Sequence, residues 1–262
     1  MNRTGLLIAL AVAIVVGLVF GLWPQLDLAI SALFFDPAKK DFVLRLDPRY
    51  GFLRDVAMWI VALIAVPAIF ALVGKLILPT RKLPVPGRAV VLMLATLVIG
   101  PGLVVNVGLK DYWPRSRPID VPQFNGDERF TAWWDWRGGC PKNCSFVGGE
   151  ASGAFWTLAP AAVAPPAWRA AAYGAALVFG AVVGGLRLAF GAHFFSDIVF
   201  AGVIMFLIIW TAHGLLYRWR ATRTSDEAVE HAIERVAMPP YNAVQVLLSR
   251  VAAFLRRKGR RA

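Results

Sequence analysis

The sequence predicts an all-α integral membrane protein with six transmembrane helices, both termini cytoplasmic, and an amphipathic cytoplasmic helix at the C-terminus. Three observations carry that expectation. Of the 262 residues, 58% are hydrophobic and the mean hydropathy is +0.60, whereas soluble domains run nearer one half apolar. Runs almost free of charge recur along the chain, and a helix needs about 20 such residues to span a bilayer. Lys and Arg gather in alternate connecting segments, the pattern that sets membrane orientation. The net charge of +12 therefore reads as cytoplasmic loops against an anionic lipid surface rather than as a nucleic-acid-binding surface.

The first span is expected over residues 5–23, "GLLIALAVAIVVGLVFGLW". It is long for the apolar core of a signal peptide, and no small-residue cleavage site follows cleanly. The second is expected over 53–79, with Arg54 and Asp55 near its start, and the third over 89–109. The fourth begins near Ala151 and reaches Val163 to Trp168, the fifth covers 171–190 and the sixth 195–217. With six spans, Arg3, the Lys75–Arg88 stretch, Arg169 and the tail all fall on one side. Residues 218–262 carry ten Lys/Arg against four Asp/Glu, so that side is expected to be the cytoplasm. The tail has apolar residues at 241, 244, 247, 248, 251, 254 and 255. That is helical spacing with a basic end, which suits a helix lying on a membrane surface. The chain thus divides into a six-helix membrane domain, 1–217, and a basic tail, 218–262.

The opposite face receives residues 24–52 and 111–150. The second of these breaks the charge rule with Arg115, Arg117, Arg137 and Lys142, preceded by Lys110, so some of its cations call for a chemical reason. Its tryptophans at 113, 133, 134 and 136 read mostly as an interfacial aromatic belt. Cys140 and Cys144 in "CPKNC" are too few for a structural zinc site. They form either a small disulfide loop facing an oxidising compartment or a pair of inert thiols.

Three charged clusters fall at the outer ends of spans: "KDYWPRSRP" from Lys110, "CSFVGGEASGAF" from Cys144, and "GLRLAFGAHFFSD" from Gly185. Charge at membrane depth is costly and ordinarily faces a partner or a wet cavity. Together the clusters suit a phosphate. Lys110, Arg117 and Arg187 supply cations, with Arg forks matching phosphate oxygens. Gly148 and Gly149 allow close backbone approach at a helix start. His193 and Asp197 are spaced i, i+4, so on a helix the carboxylate would hold one imidazole nitrogen and leave the other free to attack. The inventory requires no cofactor and no metal.

These residues resemble the type-2 phosphatidic acid phosphatases, membrane lipid phosphatases with a three-part motif, over roughly residues 24 to 217. Lys110 through Arg117–Pro118 matches the first part. Arg187, His193 and Asp197 match the third, with Leu186 in place of a serine. The resemblance implies a six-helix core, His193 as nucleophile, Asp197 as its orienter, and Lys110, Arg117 and Arg187 as phosphate ligands. The middle part departs. Where the family shows Pro-Ser-Gly-His, Val147, Gly148, Gly149 and Glu150 stand here; a second register on Ser152–Gly153 would place Ala154 on the histidine. In the first register Glu150 takes the place of the general acid. A free glutamate is ionised at neutral pH, so it serves only if burial or bound phosphate raises its proton affinity against the nearby cations.

Within the family, "CSFVGGEAS" and "SALFFDP" near residues 31–37 most resemble lipid A phosphatases. The implied activity is metal-independent hydrolysis of a lipid phosphate monoester through a phosphohistidine, at the periplasmic face of a bacterial inner membrane. The partners are a membrane lipid and the bilayer; the oligomeric state is left open. Undecaprenyl diphosphate, phosphatidylglycerophosphate, phosphotransfer to a lipid acceptor, and non-catalytic lipid binding are the rival readings.

Overall fold

A computed structural model describes residues 1–259. Its helices are α1 (Arg3–Leu22), α2 (Gln25–Ala32), α3 (Pro48–Ile77), α4 (Gly87–Tyr112), α5 (Gly149–Phe155), α6 (Leu158–Val163), α7 (Pro166–Ala189), α8 (Phe195–Arg218) and α9 (Asp226–Gly259). A two-residue antiparallel pair, β1 (Phe35–Asp36) and β2 (Asp41–Phe42), follows α2. Five of these helices, α1, α3, α4, α7 and α8, are long and apolar enough to cross a membrane among the described residues. Leu7, Ile14 and Leu18 of α1 are about 60% exposed or more, as side chains facing lipid would be.

The expected fourth span is two short helices. Pro160 lacks an N–H and its ring crowds the carbonyl four residues back, at Trp156. The helix breaks there, and the Trp156 carbonyl instead accepts from Ala159 N at 2.8 Å. Residues 149–163 rise only about 22 Å at helical pitch, short of the roughly 30 Å hydrocarbon core. The pair is instead enclosed by the bundle: Ala151, Ala154, Trp156, Leu158 and Ala159 are all buried. Trp156 Nε1 donates to Met93 O (3.0 Å) and Thr96 Oγ1 (3.1 Å) of α4, which fixes the break in place. A Cβ on Gly180 of α7 would stand 2.2 Å from the Phe155 ring. Only glycine allows that approach, the small-residue packing common between membrane helices.

α3 begins earlier than its apolar run because Asp47–Pro48 is a helix-start signal: Asp47 Oδ1 accepts Arg49 N at 2.9 Å, and proline occupies the first helical position. In α4 the residues from Val98 to Leu109 adopt the wider i→i+5 winding around Pro101, one of the local adjustments by which membrane helices absorb a proline.

The two ends of the bundle differ. At one end the start of α1 meets the end of α8, with Trp210 Nε1 donating to Asn2 O (3.1 Å). At that same end α9 docks on α3 and α4. Arg88 pairs with Asp226 (2.8 Å), and the buried Lys75 Nζ meets Glu230 (3.0 Å) and Glu234 (3.6 Å). Further along α9, Val244, Leu247 and Leu248 are more than half exposed, in line with an apolar stripe. The side chains at 251, 254 and 255, and residues 260–262, lie outside the described residues. At the opposite end, 24–52 and 111–148 fold over the helix tips. Trp133 and Trp134 do more than form a belt: their indole N–H groups donate to Gly17 O (3.0 Å) and Gly21 O (3.3 Å) of α1, pinning the outer segment down. Trp136 remains 74% exposed.

Candidate active site

The residues singled out at the helix tips meet at this second end. Lys110 lies in the last turn of α4, Glu150 in the first turn of α5 and Arg187 in the last turn of α7, and His193 lies in the five-residue turn before α8. That turn depends on Gly191 at φ +66°, where a Cβ would collide with the Phe42 ring at 2.3 Å. The left-handed backbone and the absent side chain are both needed.

His193 is 2% exposed. Its Nδ1 lies 2.7 Å from the Ser145 carbonyl oxygen. A carbonyl only accepts, so Nδ1 carries the proton and Nε2 keeps its lone pair. Burial first, then the charges of Arg187, Lys110 and Arg117, hold the imidazole pKa well below its ordinary value. The ring is neutral at neutral pH and surrounded by cations that favour an approaching anion.

Those cations are positioned from several sides. Arg117 Nη2 and Nε donate to Asn143 O (2.6 and 3.2 Å), and Lys110 Nζ donates to Asn143 Oδ1 (3.3 Å). Asn143 thus holds two cations through acceptors that a phosphate oxygen can replace. Gly149 lies against Lys110: a Cβ there would meet Nζ at 3.0 Å and Asn106 Oδ1 at 2.8 Å. Gly148, the N-cap of α5, is next to the imidazole, with His193 Cδ2 3.5 Å from its hypothetical Cβ. Glu150 Oε2 stands 2.7 Å from Arg187 Nε, and its Oε1 stands 3.8 Å from Arg54 Nε. The Arg187 contact is misaligned for a hydrogen bond, leaving both atoms buried and otherwise unpartnered. Ser152 and Ala154, the alternative middle register, are buried; the Ser152 hydroxyl is committed to Gly148 O at 2.8 Å.

One expected contact is absent. Asp197 does not hold the imidazole, because His193 sits in the turn ahead of α8 and the two do not share a helical face. Asp197 accepts instead from Ser145 Oγ (2.5 Å), Phe194 N (2.9 Å) and the Arg115 guanidinium. Its route to His193 therefore runs through Ser145. Arg115 is itself fully buried and also donates to Asp27 (2.7 Å) and Ser196 Oγ (2.9 Å). Asp27, on α2, further accepts Ser196 N (3.0 Å) and Ser196 Oγ (2.6 Å). Sequence reasoning singled out neither Asp27 nor Ser145. Cys140 and Cys144 are joined by a disulfide, with Cα atoms 5.7 Å apart.

A neutral imidazole buried among three cations at the tips of membrane helices defines a phosphoester-cleaving membrane enzyme, and comparison with known proteins agrees. Residues 89–225 match the PAP2 superfamily; the chain belongs to that superfamily and is a phosphatase. The lipid A 4'-phosphatase of Francisella tularensis subsp. novicida is 35% identical over 219 residues, covering 83% of this chain and 98% of the relative. The lipid A 4'-phosphatase of Rhizobium leguminosarum is 32% identical over 211 residues, 74% of this chain and 88% of the relative. That of Rhizobium etli is 37% identical over 119 residues, 45% and 46% of the two chains. No solved structure matches the chain.

Proposed function

We propose that this phosphatase removes a phosphate monoester from lipid A at the periplasmic face of a bacterial inner membrane, the 4'-phosphate before the 1-phosphate. The observation that carries the reaction is the His193 ring, with Nδ1–H bound to the Ser145 carbonyl and Nε2 unprotonated among Lys110, Arg117 and Arg187. The substrate rests on relatives named for lipid A 4'-phosphatase activity that align along most of the chain.

In the reaction His193 Nε2 attacks phosphorus, and the bond from phosphorus to the sugar oxygen breaks. Lys110, Arg117 and Arg187 take the charge that accumulates on the phosphoryl oxygens. Glu150 gives a proton to the leaving alkoxide, then as carboxylate accepts one from the water that attacks the phosphohistidine. Phosphate leaves and the imidazole is restored. Displacing Glu150 from Arg187 lets the phosphate take that guanidinium. The α5–α6 pair, too short to span lipid by itself but enclosed by the bundle, returns the chain from the site end toward the end where α7 begins and so counts as the sixth crossing. Both termini and α9 then lie in the cytoplasm, and α9 rests its exposed aliphatic face on the inner leaflet.

The test is phosphate release by purified protein in detergent micelles without added metal, offered lipid A, undecaprenyl diphosphate or phosphatidylglycerophosphate. Release from lipid A, lost in His193→Ala, supports the reading. A preference for another lipid overturns the substrate, and dependence on divalent cations or an active His193→Ala overturns the mechanism.

A further inference from the structure

Beyond the residues already given roles, the segment from Asn143 to Ser145 contacts Lys110, Arg117, Arg115, Asp197 and His193. Ser145 has three polar groups, and each is committed to a different part of the machinery. Its N–H donates to Arg115 O (2.8 Å), its hydroxyl to Asp197 (2.5 Å), and its carbonyl accepts from His193 Nδ1 (2.7 Å). Just upstream, Cys144 N donates to Lys110 O (2.9 Å), and Asn143 O accepts from Arg117. The segment is tied back by the Cys140–Cys144 disulfide. We propose that Ser145 is the positioning residue for the nucleophile: its hydroxyl, held by Asp197, fixes the carbonyl that sets the tautomer and angle of His193.

The inference rests on His193 being the nucleophile. With a carboxylate directly on Nδ1, the imidazole would gain proton affinity as well as orientation. An uncharged carbonyl fixes orientation and tautomer with a smaller gain, which burial and the surrounding cations outweigh, so Nε2 stays free of a proton. Ser145 is fully buried, so its geometry is set by these partners and not by solvent. Asp197 and Arg115 then matter to catalysis at one remove, as the fixed points from which Ser145 is held.

The experiment compares Ser145→Ala and Ser145→Thr with the wild-type chain in micelles, using lipid A as the probe and correcting turnover for the folded fraction. A second readout is carbethoxylation of His193 by diethyl pyrocarbonate, mapped by mass spectrometry against the exposed His231 of the same chain. Ser145→Ala is expected to lower kcat about 10- to 100-fold, the scale of a small misplacement of a reacting group, with KM within about threefold. Ser145→Thr, which keeps the hydroxyl, is expected to recover most of kcat. The His193-to-His231 labelling ratio is expected to rise in Ser145→Ala. A folded Ser145→Ala enzyme with kcat within twofold of wild type overturns the proposal. So does a loss that vanishes after the folded-fraction correction. If the wild-type chain releases no phosphate from lipid A, the substrate reading fails by itself, and the labelling ratio still decides: no change in Ser145→Ala overturns the positioning role.

Discussion

Arg115 and Asp27 form a fully buried ion pair at 2.7 Å although 88 residues separate them in the chain. Asp27 comes from the short α2 helix, and Arg115 from the outer segment. The same guanidinium reaches Asp197 and, through Ser196, returns to Asp27. One cation thus joins two carboxylates across three parts of the fold, directly behind the turn that carries His193.

Arg115→Met is expected to destabilise strongly, by about 3–5 kcal/mol, because it leaves two carboxylates buried without their counter-charge. Asp27→Asn should cost less: one cation and one carboxylate remain, and an amide oxygen can still accept from Ser196 N. Thermal unfolding in micelles checks this ordering. Equal midpoints for the two variants would mean that the charge of Arg115 is not what matters at this site.

The neutral, buried His193 fixes a pH dependence. Its folded-state pKa is lowered, so below the unfolded value near 6.5 the unfolded chain binds the proton first. Stability contributed by this group is therefore present above that pH and is lost as pH falls from there toward the folded pKa. Activity should persist into the acid range for the same reason, with the acidic limb of kcat/KM below pH 6.5. Arg187 is the largest charge contribution to the depression. Arg187→Ala should move the acidic limb of the residual activity to higher pH; a limb that stays put, measured at constant ionic strength, would exclude that coupling.

Glu150→Gln separates the proposed acid role from the structural one. Glutamine keeps the size and one acceptor for Arg187 but has no proton to give. Turnover of lipid A is expected to fall about 100-fold or more, within the range for a lost general acid. With a substrate whose leaving group needs no proton, such as p-nitrophenyl phosphate, the deficit should shrink to a few-fold. An equal loss on both substrates would assign Glu150 to holding Arg187.

The parts legible in the sequence were those with local periodicity or fixed spacing. The apolar runs mark α1, α3, α4, α7 and α8 because twenty apolar residues leave few alternatives. Lys110, Arg117, Arg187 and His193 stood out because charge at helix tips is costly. The break at Trp156 was signalled by Pro160 inside an apolar run, but a proline in a membrane helix does not reveal whether it kinks or stops the helix. The i, i+4 spacing of His193 and Asp197 misled because Gly191 turns the chain before the helix begins. Asp27 and Ser145 carried no signal: an aspartate in an amphipathic helix and a serine beside a cysteine each look ordinary until the chain brings distant partners to them.

The far end of the bundle gives a prediction independent of the chemistry. Lys75 is 4% exposed, and its Nζ is satisfied by Arg81 O (2.9 Å), Glu230 (3.0 Å) and Glu234 (3.6 Å). Glu230 also accepts Leu83 N at 3.0 Å, so one carboxylate ties α9 to both the end of α3 and the loop that follows it. Lys75→Met fills the same space without the charge and leaves Glu230 and Glu234 to repel each other. Both acids are partly solvated, which limits the cost to about 1–3 kcal/mol. That is enough to loosen α9 without unfolding the bundle. Limited trypsin digestion should then cut faster after Arg223 and Arg235, while lipid phosphatase turnover at the opposite end stays within about twofold of wild type. Unchanged cleavage would show that α9 is held by its apolar contacts alone, and a matching collapse of turnover would show that the two ends are coupled through α3 and α4.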